Sequence, residues 1–192
     1  MHAFDFIVLL FSFVYAAAVA QVLGTAAEIV IAAKRIRLSW LNAGWMLMSL
    51  LMTCAWWIGL WDLHDLKEWT VGVIGFFFFV AAGFYVLTRM VSPRIPHDGA
   101  VDLVAFHAEE GRKYLVAFAA LALVTVGTNS VLGQATGAGQ WSAQNLAVIP
   151  MALAATLAAV FIRTRWVQVA ALVVELAAWA IYFGVLQAPL RG

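Results

Sequence analysis

Residues 4–37 read FDFIVLLFSFVYAAAVAQVLGTAAEIVIAAKRIR: thirty positions in which only Asp5 and Glu28 are charged, closed by Lys34, Arg35 and Arg37. A helix of thirty residues rises about 45 Å at about 1.5 Å per residue, more than the roughly 30 Å of a bilayer's hydrocarbon core. Hydrocarbon offers no water to backbone N–H and C=O groups, so a span crossing it satisfies them internally, as a helix or in a closed barrel. The basic cluster also sets a direction, because Lys and Arg flanking a span are retained on the cytoplasmic side.

The same pattern recurs along the chain. Hydropathy predicts six spans, over Phe4–Ala33, Trp40–Leu63, Trp69–Val91, Tyr114–Gly133, Leu146–Ile162 and Trp166–Leu186. Pro150 falls near the start of the fifth, where a missing N–H matters little. Hydrophobic residues make up 65% of the chain and charged ones 11%, with a mean hydropathy of +0.95. A soluble domain carries charge on roughly a quarter of its residues, so a water-facing exterior is excluded. Six spans and short turns use nearly all 192 residues, which predicts one transmembrane domain over 1–192 without a separate catalytic domain.

Sidedness follows from the basic residues. Lys34, Arg35, Arg37, Arg89, Arg94, Arg112, Lys113, Arg163 and Arg165 fall on one side of this topology, and only Lys67 and Arg191 on the other. That split predicts both termini on the non-cytoplasmic side. Ala18-Val19-Ala20 resembles a signal-peptide cleavage site, but Met1–Phe6 holds Asp5 and neither Lys nor Arg, so the first span is expected to be retained. Trp40, Trp61, Trp69, Trp141 and Trp166 fall at span ends, as amphipathic rings do at headgroup depth. The expected fold is an all-α integral membrane bundle of six helices in a bacterial inner (cytoplasmic) membrane.

Between the third and fourth spans, Pro93 and Pro96 interrupt the chain, after which Val101, Leu103, Val104 and Phe106 mix with Asp102, His107, Glu109 and Glu110. That pattern predicts a short amphipathic helix on the cytoplasmic face. The third span, with Phe76–Phe79 and Gly72, Gly75 and Gly83, is apolar almost throughout and is expected to face lipid or a second protomer.

An ionisable residue inside a membrane costs about 2.5 to 3.5 kcal/mol on insertion scales, so one that persists invites a functional explanation. Glu175 lies mid-span in the sixth stretch and Glu28 about two turns before Lys34. Their depths from the cytoplasmic ends are roughly 14 Å and roughly 9 Å. Gln21, Thr25 and Glu28 share a face of the first helix, beside a small-residue ridge of Ala16, Ala20 and Gly24 expected to allow close helix contact. Gln168, Glu175, Trp179 and Tyr182 share a face of the sixth; Asn42, Ser49, Thr53 and Trp56 form a stripe on the second. These stripes suggest a polar seam between helices one, two and six, with Glu175, Glu28, Gln21, Thr25, Asn42 and Gln168 as a path for protons, cations or a small solute. The competing role for each is hydrogen-bonded packing. Thr125, Thr128, Asn129 and Ser130 suggest an outward vestibule, though such hydroxyls also bond the preceding turn.

No histidine lies deep in a span to ligate haem, no lysine lies within one to form a Schiff base, and no hydrolase or zinc-protease motif occurs. The clusters Asp62, His64, Asp65, Glu68 and His97, Asp98, Asp102, His107, Glu109, Glu110 lack a metal-ligand spacing and read as solvated loop charge. Cys54 has no internal disulfide partner and reads as a small apolar residue. The expectation is therefore not an enzyme, with no cofactor, metal or nucleic-acid partner. It is a small multi-pass transporter or channel, a homo-oligomer in the lipid bilayer, the alternative being a non-transporting accessory or scaffold subunit bound to other membrane subunits.

Overall fold

The computed structural model describes residues 3–64, 68–96, 98–136 and 143–181. They form six α-helices: α1 Ala3–Ile31, α2 Trp40–Gly59, α3 Val71–Val91, α4 Leu103–Thr136, α5 Ala143–Phe161 and α6 Arg165–Ile181. The one pairing of strands among them is two residues long: β1, Ile36–Arg37, runs parallel to β2, Val101–Asp102. Within Phe6–Ile31, Trp40–Gly59, Val71–Val91 and Leu103–Thr128 the helices are long and apolar enough to cross a membrane. α5 and α6 are shorter, at 19 and 17 residues. The expected end of the sixth span, Tyr182–Leu186, lies outside the described residues, as do Lys67, Trp141 and Arg191.

The chain divides into two compact units, Met1–Ala117 and Phe118–Gly192, and α4 passes from one into the other. In the first, Phe11, Tyr15, Ala18, Val22 and Thr25 form a buried 3–4 spaced stripe on α1. Phe77, Val80, Ala81, Phe84, Leu87, Thr88 and Val91 do the same on α3. The two helices lie side by side in the same direction. Phe4 meets Trp69, Phe11 meets Phe77 and Tyr15 meets Phe84, at ring separations of 6.2, 6.5 and 6.0 Å. The Arg89 guanidinium then donates to Gln21 Oε1 at 2.8 Å. α2 runs back between the ends, and Trp57 Nε1 donates to Ser12 Oγ on α1 at 3.0 Å.

Two expectations change here. The third helix was expected to face lipid or a second protomer; instead one face packs on α1 and α2, and only the opposite face, with Phe79 and Val86, is exposed. Its phenylalanines read as uniformly lipid-facing because a helix between apolar neighbours and lipid shows no polar stripe. Nor, among the described residues of the first unit, do Ala16, Ala20 and Gly24 form a helix contact. All three are exposed, and a Cβ added at Gly24 would meet nothing within 4 Å.

The C-terminal ends of α1 and α3 and the N-terminal ends of α2 and α4 gather at one end. Asn42, fully buried in the first turn of α2, donates from Nδ2 to the Val91 carbonyl at 3.0 Å, satisfying a group that the end of α3 leaves free. Ser39 caps α2, its hydroxyl accepting from Asn42 N at 3.3 Å. The β1–β2 pairing is clamped by Arg35 on Gly99 O and by an Arg37–Asp102 ion pair, both at 3.0 Å. The amphipathic segment expected before the fourth span is helical but continuous with it. Tyr114 faces Asn42 at the level where α2 begins, so the eleven residues Leu103–Lys113 precede that level.

Asp102 starts α4. Its Oδ1 accepts from Val104 N at 2.8 Å and Ala105 N at 3.1 Å, a capping arrangement that the helix dipole reinforces. The Ala105 N–H first, then Val104 N–H and Arg37, hold this carboxyl below the ordinary carboxylate range. A carboxyl depressed on folding stabilises the cap above its unfolded pKa, near 3.9, and loses that effect as pH falls through the lower folded value. In a pH titration followed by amide shifts, Val104 and Ala105 should move with a common midpoint below about 3.9. A midpoint at or above that value would show the cap to be absent.

Candidate functional site

Polar side chains collect in two places, one in each unit. In the first, an open cleft of about 380 Å³ lies between the C-terminal halves of α1 and α3. Ala20, Gln21, Gly24, Thr25 and Glu28 supply the α1 wall; Arg89 and the segment Pro93, Arg94, Ile95 supply the other. Three of the residues expected to share a face of the first helix thus converge on one concavity. Thr25 is buried, Gln21 half-buried and Glu28 exposed. Gln21 bridges the helices: its Oε1 accepts from Arg89 and its Nε2 donates to Thr25 Oγ1 at 3.2 Å. That bridge holds a guanidinium against α1 in the last turn of α3.

Opposite charges line this cleft without neutralising one another. Among the described residues, the Glu28 carboxylate and the Arg94 guanidinium form neither an ion pair nor a hydrogen bond, and Arg89 is engaged only through Gln21. A guanidinium carries five N–H donors, so most of those on Arg89 and all on Arg94 remain open to a ligand.

In the second unit, α5 and α6 form a hairpin turning at Ile162–Thr164. The buried face of α6 is Gln168, Ala171, Leu172, Glu175 and Ala178. Gln168 and Glu175 are 7% and 3% exposed, as their heptad spacing predicts. The Glu175 carboxylate accepts from the hydroxyl of Thr156 on α5, which is fully buried. Gln168 Nε2 donates to the carbonyls of Ala159, at 2.5 Å, and Ile162, at 3.2 Å. Gln168 thereby closes the C-terminal end of α5, whose last carbonyls have no helical partner.

Measured against the expected seam, the residues sort by role. Gln21, Thr25 and Glu28 stand together in the cleft, and Glu175 is buried in the α5–α6 hairpin. Asn42 and Gln168 are each engaged with backbone carbonyls at a helix end. On α2 Asn42, Ser49 and Thr53 are buried and Trp56 is half-buried, but Ser49 and Thr53 donate to the preceding turn of their own helix, at 2.8 and 2.7 Å. Thr125 does likewise to Leu121 O at 2.8 Å. The side chains of Asn129 and Ser130 lie outside the described residues, as does Tyr182.

Three contributors escaped the sequence reading. Arg89 and Arg94 served there only as topological flanks, although Arg89 sits inside the expected third span and so carried the same signal as the glutamates. Thr156 reads as one more small residue in an alanine-rich helix. The short turn between Phe161 and Arg165 makes α5 and α6 an antiparallel pair, but Thr156 and Glu175 lie at different distances from it, so counting from the turn does not match the two.

Among the described residues no three His, Cys, Asp or Glu side chains stand together as metal ligands. Asp102 is committed to Arg37 and the α4 cap, and His64 Nδ1 lies 2.8 Å from Trp61 O. Asp65 and His97 lie outside the described residues. No protein family, curated protein or solved structure matches the chain.

Removing the Thr156 hydroxyl leaves a buried carboxyl without its partner. In reversible unfolding of the reconstituted protein, Thr156→Val should cost about 1 kcal/mol or more, and Thr156→Ser, which keeps the donor, much less. Equal losses would mean that methyl packing, not the hydrogen bond, matters at this position.

Proposed function

We propose that the chain is a six-span protein of a bacterial inner membrane, with both termini on the non-cytoplasmic side, that moves protons, cations or a small solute. The observation that carries this reading is Glu175: a carboxyl 3% exposed, set among Ala171, Leu172 and Ala178 on the buried face of α6, with a single hydroxyl partner. Carboxyls placed inside a membrane are the groups that pumps and transporters use to pass protons and ions. Glu28, exposed in the cleft with Gln21 and Thr25, offers a second carboxyl at the end of α1 that carries Lys34 and Arg35.

Six spans are supported by the helical hairpin α5–α6, which would rise about 28 Å and about 26 Å over its described residues. Sidedness is supported by the gathering of Lys34, Arg35, Arg37, Arg89 and Arg94 at one end of the first unit. A homo-oligomer is the form in which so small a chain would enclose a path.

A second reading has its own observation. Asn42 and Gln168 each give amide N–H groups to helix-end carbonyls, and Ser49, Thr53 and Thr125 donate within their own helices, which favours polar residues as packing devices in a non-transporting accessory subunit.

Flux separates the two. Proteoliposomes holding the native chain should dissipate an imposed proton gradient, or a potassium or sodium gradient, and Glu175→Gln should reduce that flux at least tenfold while assembling normally. Absence of flux from folded native protein, joined with stoichiometric copurification of another membrane protein, would establish the accessory role instead.

A further inference from the structure

We propose that the α1–α3 cleft is a binding site for a phosphate group that carries a primary ammonium, the chemistry of a phosphoethanolamine head. The site goes beyond the transport reading and stands on the cleft alone, whether or not Glu175 carries anything.

Its two charges are the first reason. Arg89 and Arg94 on one wall and Glu28 on the other line the same concavity, yet Glu28 and Arg94 remain unpaired. An anion alone would be opposed by Glu28, and a cation alone by two guanidinium groups. A ligand with both charges, a few bonds apart, meets each with its complement. Guanidinium N–H groups match phosphate oxygens, and a carboxylate accepts readily from an ammonium.

Depth is the second reason. Residues 20–28 begin three residues from the C-terminal end of α1 and reach about 16 Å back along it. Arg94 and Glu28 stand at the shallow end; Ala20 and Gly24, both exposed, floor the cleft, and Leu23 and Val86 on the same two helices are exposed apolar side chains. Charge at headgroup level passing into bare apolar surface is the profile of a phospholipid, polar at one end and hydrocarbon at the other.

Gly24 is the third. A helix residue exchanged for glycine gives up about 1 kcal/mol of helix propensity, and nothing lies within 4 Å of where its Cβ would stand. No neighbouring helix requires the absence of that side chain. What it leaves open is the cleft.

The test is lipid retention by the full-length chain, released from detergent in a native mass spectrometer after incubation with dioleoyl-phosphatidylethanolamine, -choline or -glycerol. Phosphatidylethanolamine should be held in preference to both others, since choline has no N–H and glycerol no positive charge. Glu28→Gln should reduce the preference for ethanolamine over glycerol about tenfold, while Arg94→Gln should weaken all three lipids. Gly24→Leu should abolish retention with no fall in melting temperature, which keeps the test independent of folding. Soluble phosphoethanolamine is the remaining arm: displacement of the lipid by it assigns the same chemistry to a ligand from the aqueous side, and failure to displace assigns it to the leaflet. Phosphatidylglycerol held as tightly as phosphatidylethanolamine, or retention indifferent to both Arg94→Gln and Gly24→Leu, would overturn the proposal.

Discussion

Every polar group on these helices needs a partner from the protein itself, because the surfaces that would otherwise meet water are apolar. Phe6, Phe13, Leu23, Val71, Phe79 and Phe161 are all exposed, several by more than 60%. Such faces suit hydrocarbon, and in hydrocarbon an unmet N–H or C=O is costly. The side-chain hydrogen bonds follow from that constraint. Asn42 takes the carbonyl of Val91, Gln168 those of Ala159 and Ile162, and Ser49, Thr53 and Thr125 those of the preceding turn. Helix ends, where carbonyls are left over, attract the amides; helix middles attract the hydroxyls.

This accounting divides residues that composition treats alike. A buried asparagine that closes a helix end holds α2 against α3 through its amide N–H. Glu175 is different, since its one partner, Thr156, neutralises no charge. The cleft differs again. There Gln21 spends its carbonyl on Arg89 and its amide on Thr25, so it positions a cation rather than satisfying backbone. Three polar stripes that look equivalent on a helical wheel therefore perform three tasks: joining helix ends, burying an acid, and holding a guanidinium at an opening.

What was legible in the sequence depended on how far each property reaches. Hydrophobic length needs no neighbour, so α1 to α3 stand close to where apolar runs placed them. Heptad spacing gives the buried face of a helix, and Gln168, Glu175, Asn42, Ser49 and Thr53 are all buried as their spacing implied. Which helix covers that face is a tertiary property. The short turn pairs α5 with α6 but does not single out Thr156 as the partner of Glu175, and Arg89 beside Gln21, 68 positions away, follows only from the parallel pairing of α1 and α3. The Ala16, Ala20, Gly24 ridge shows the same limit, because small residues permit a close helix contact and an empty groove equally well. The expected break before Tyr114 failed for a simpler reason: Leu103–Lys113 and the apolar run after it are both good helix, and no residue between them stops one.

The parallel pairing of α1 and α3 also explains why the cleft forms where it does. Helices running in the same direction bring their C-terminal ends together, with unpaired carbonyls and partial negative charge at both. Arg89 in the last turn of α3 and Arg94 just beyond it answer that charge, and Asn42 takes up the Val91 carbonyl. A guanidinium recruited for the dipole is then already in place for an anionic ligand, and the glutamate one turn from the end of α1 is its natural counterweight. Binding chemistry at this site is thus an outgrowth of the packing: the fold needs cations where α1 and α3 end, and small residues on α1 leave the space beside them open.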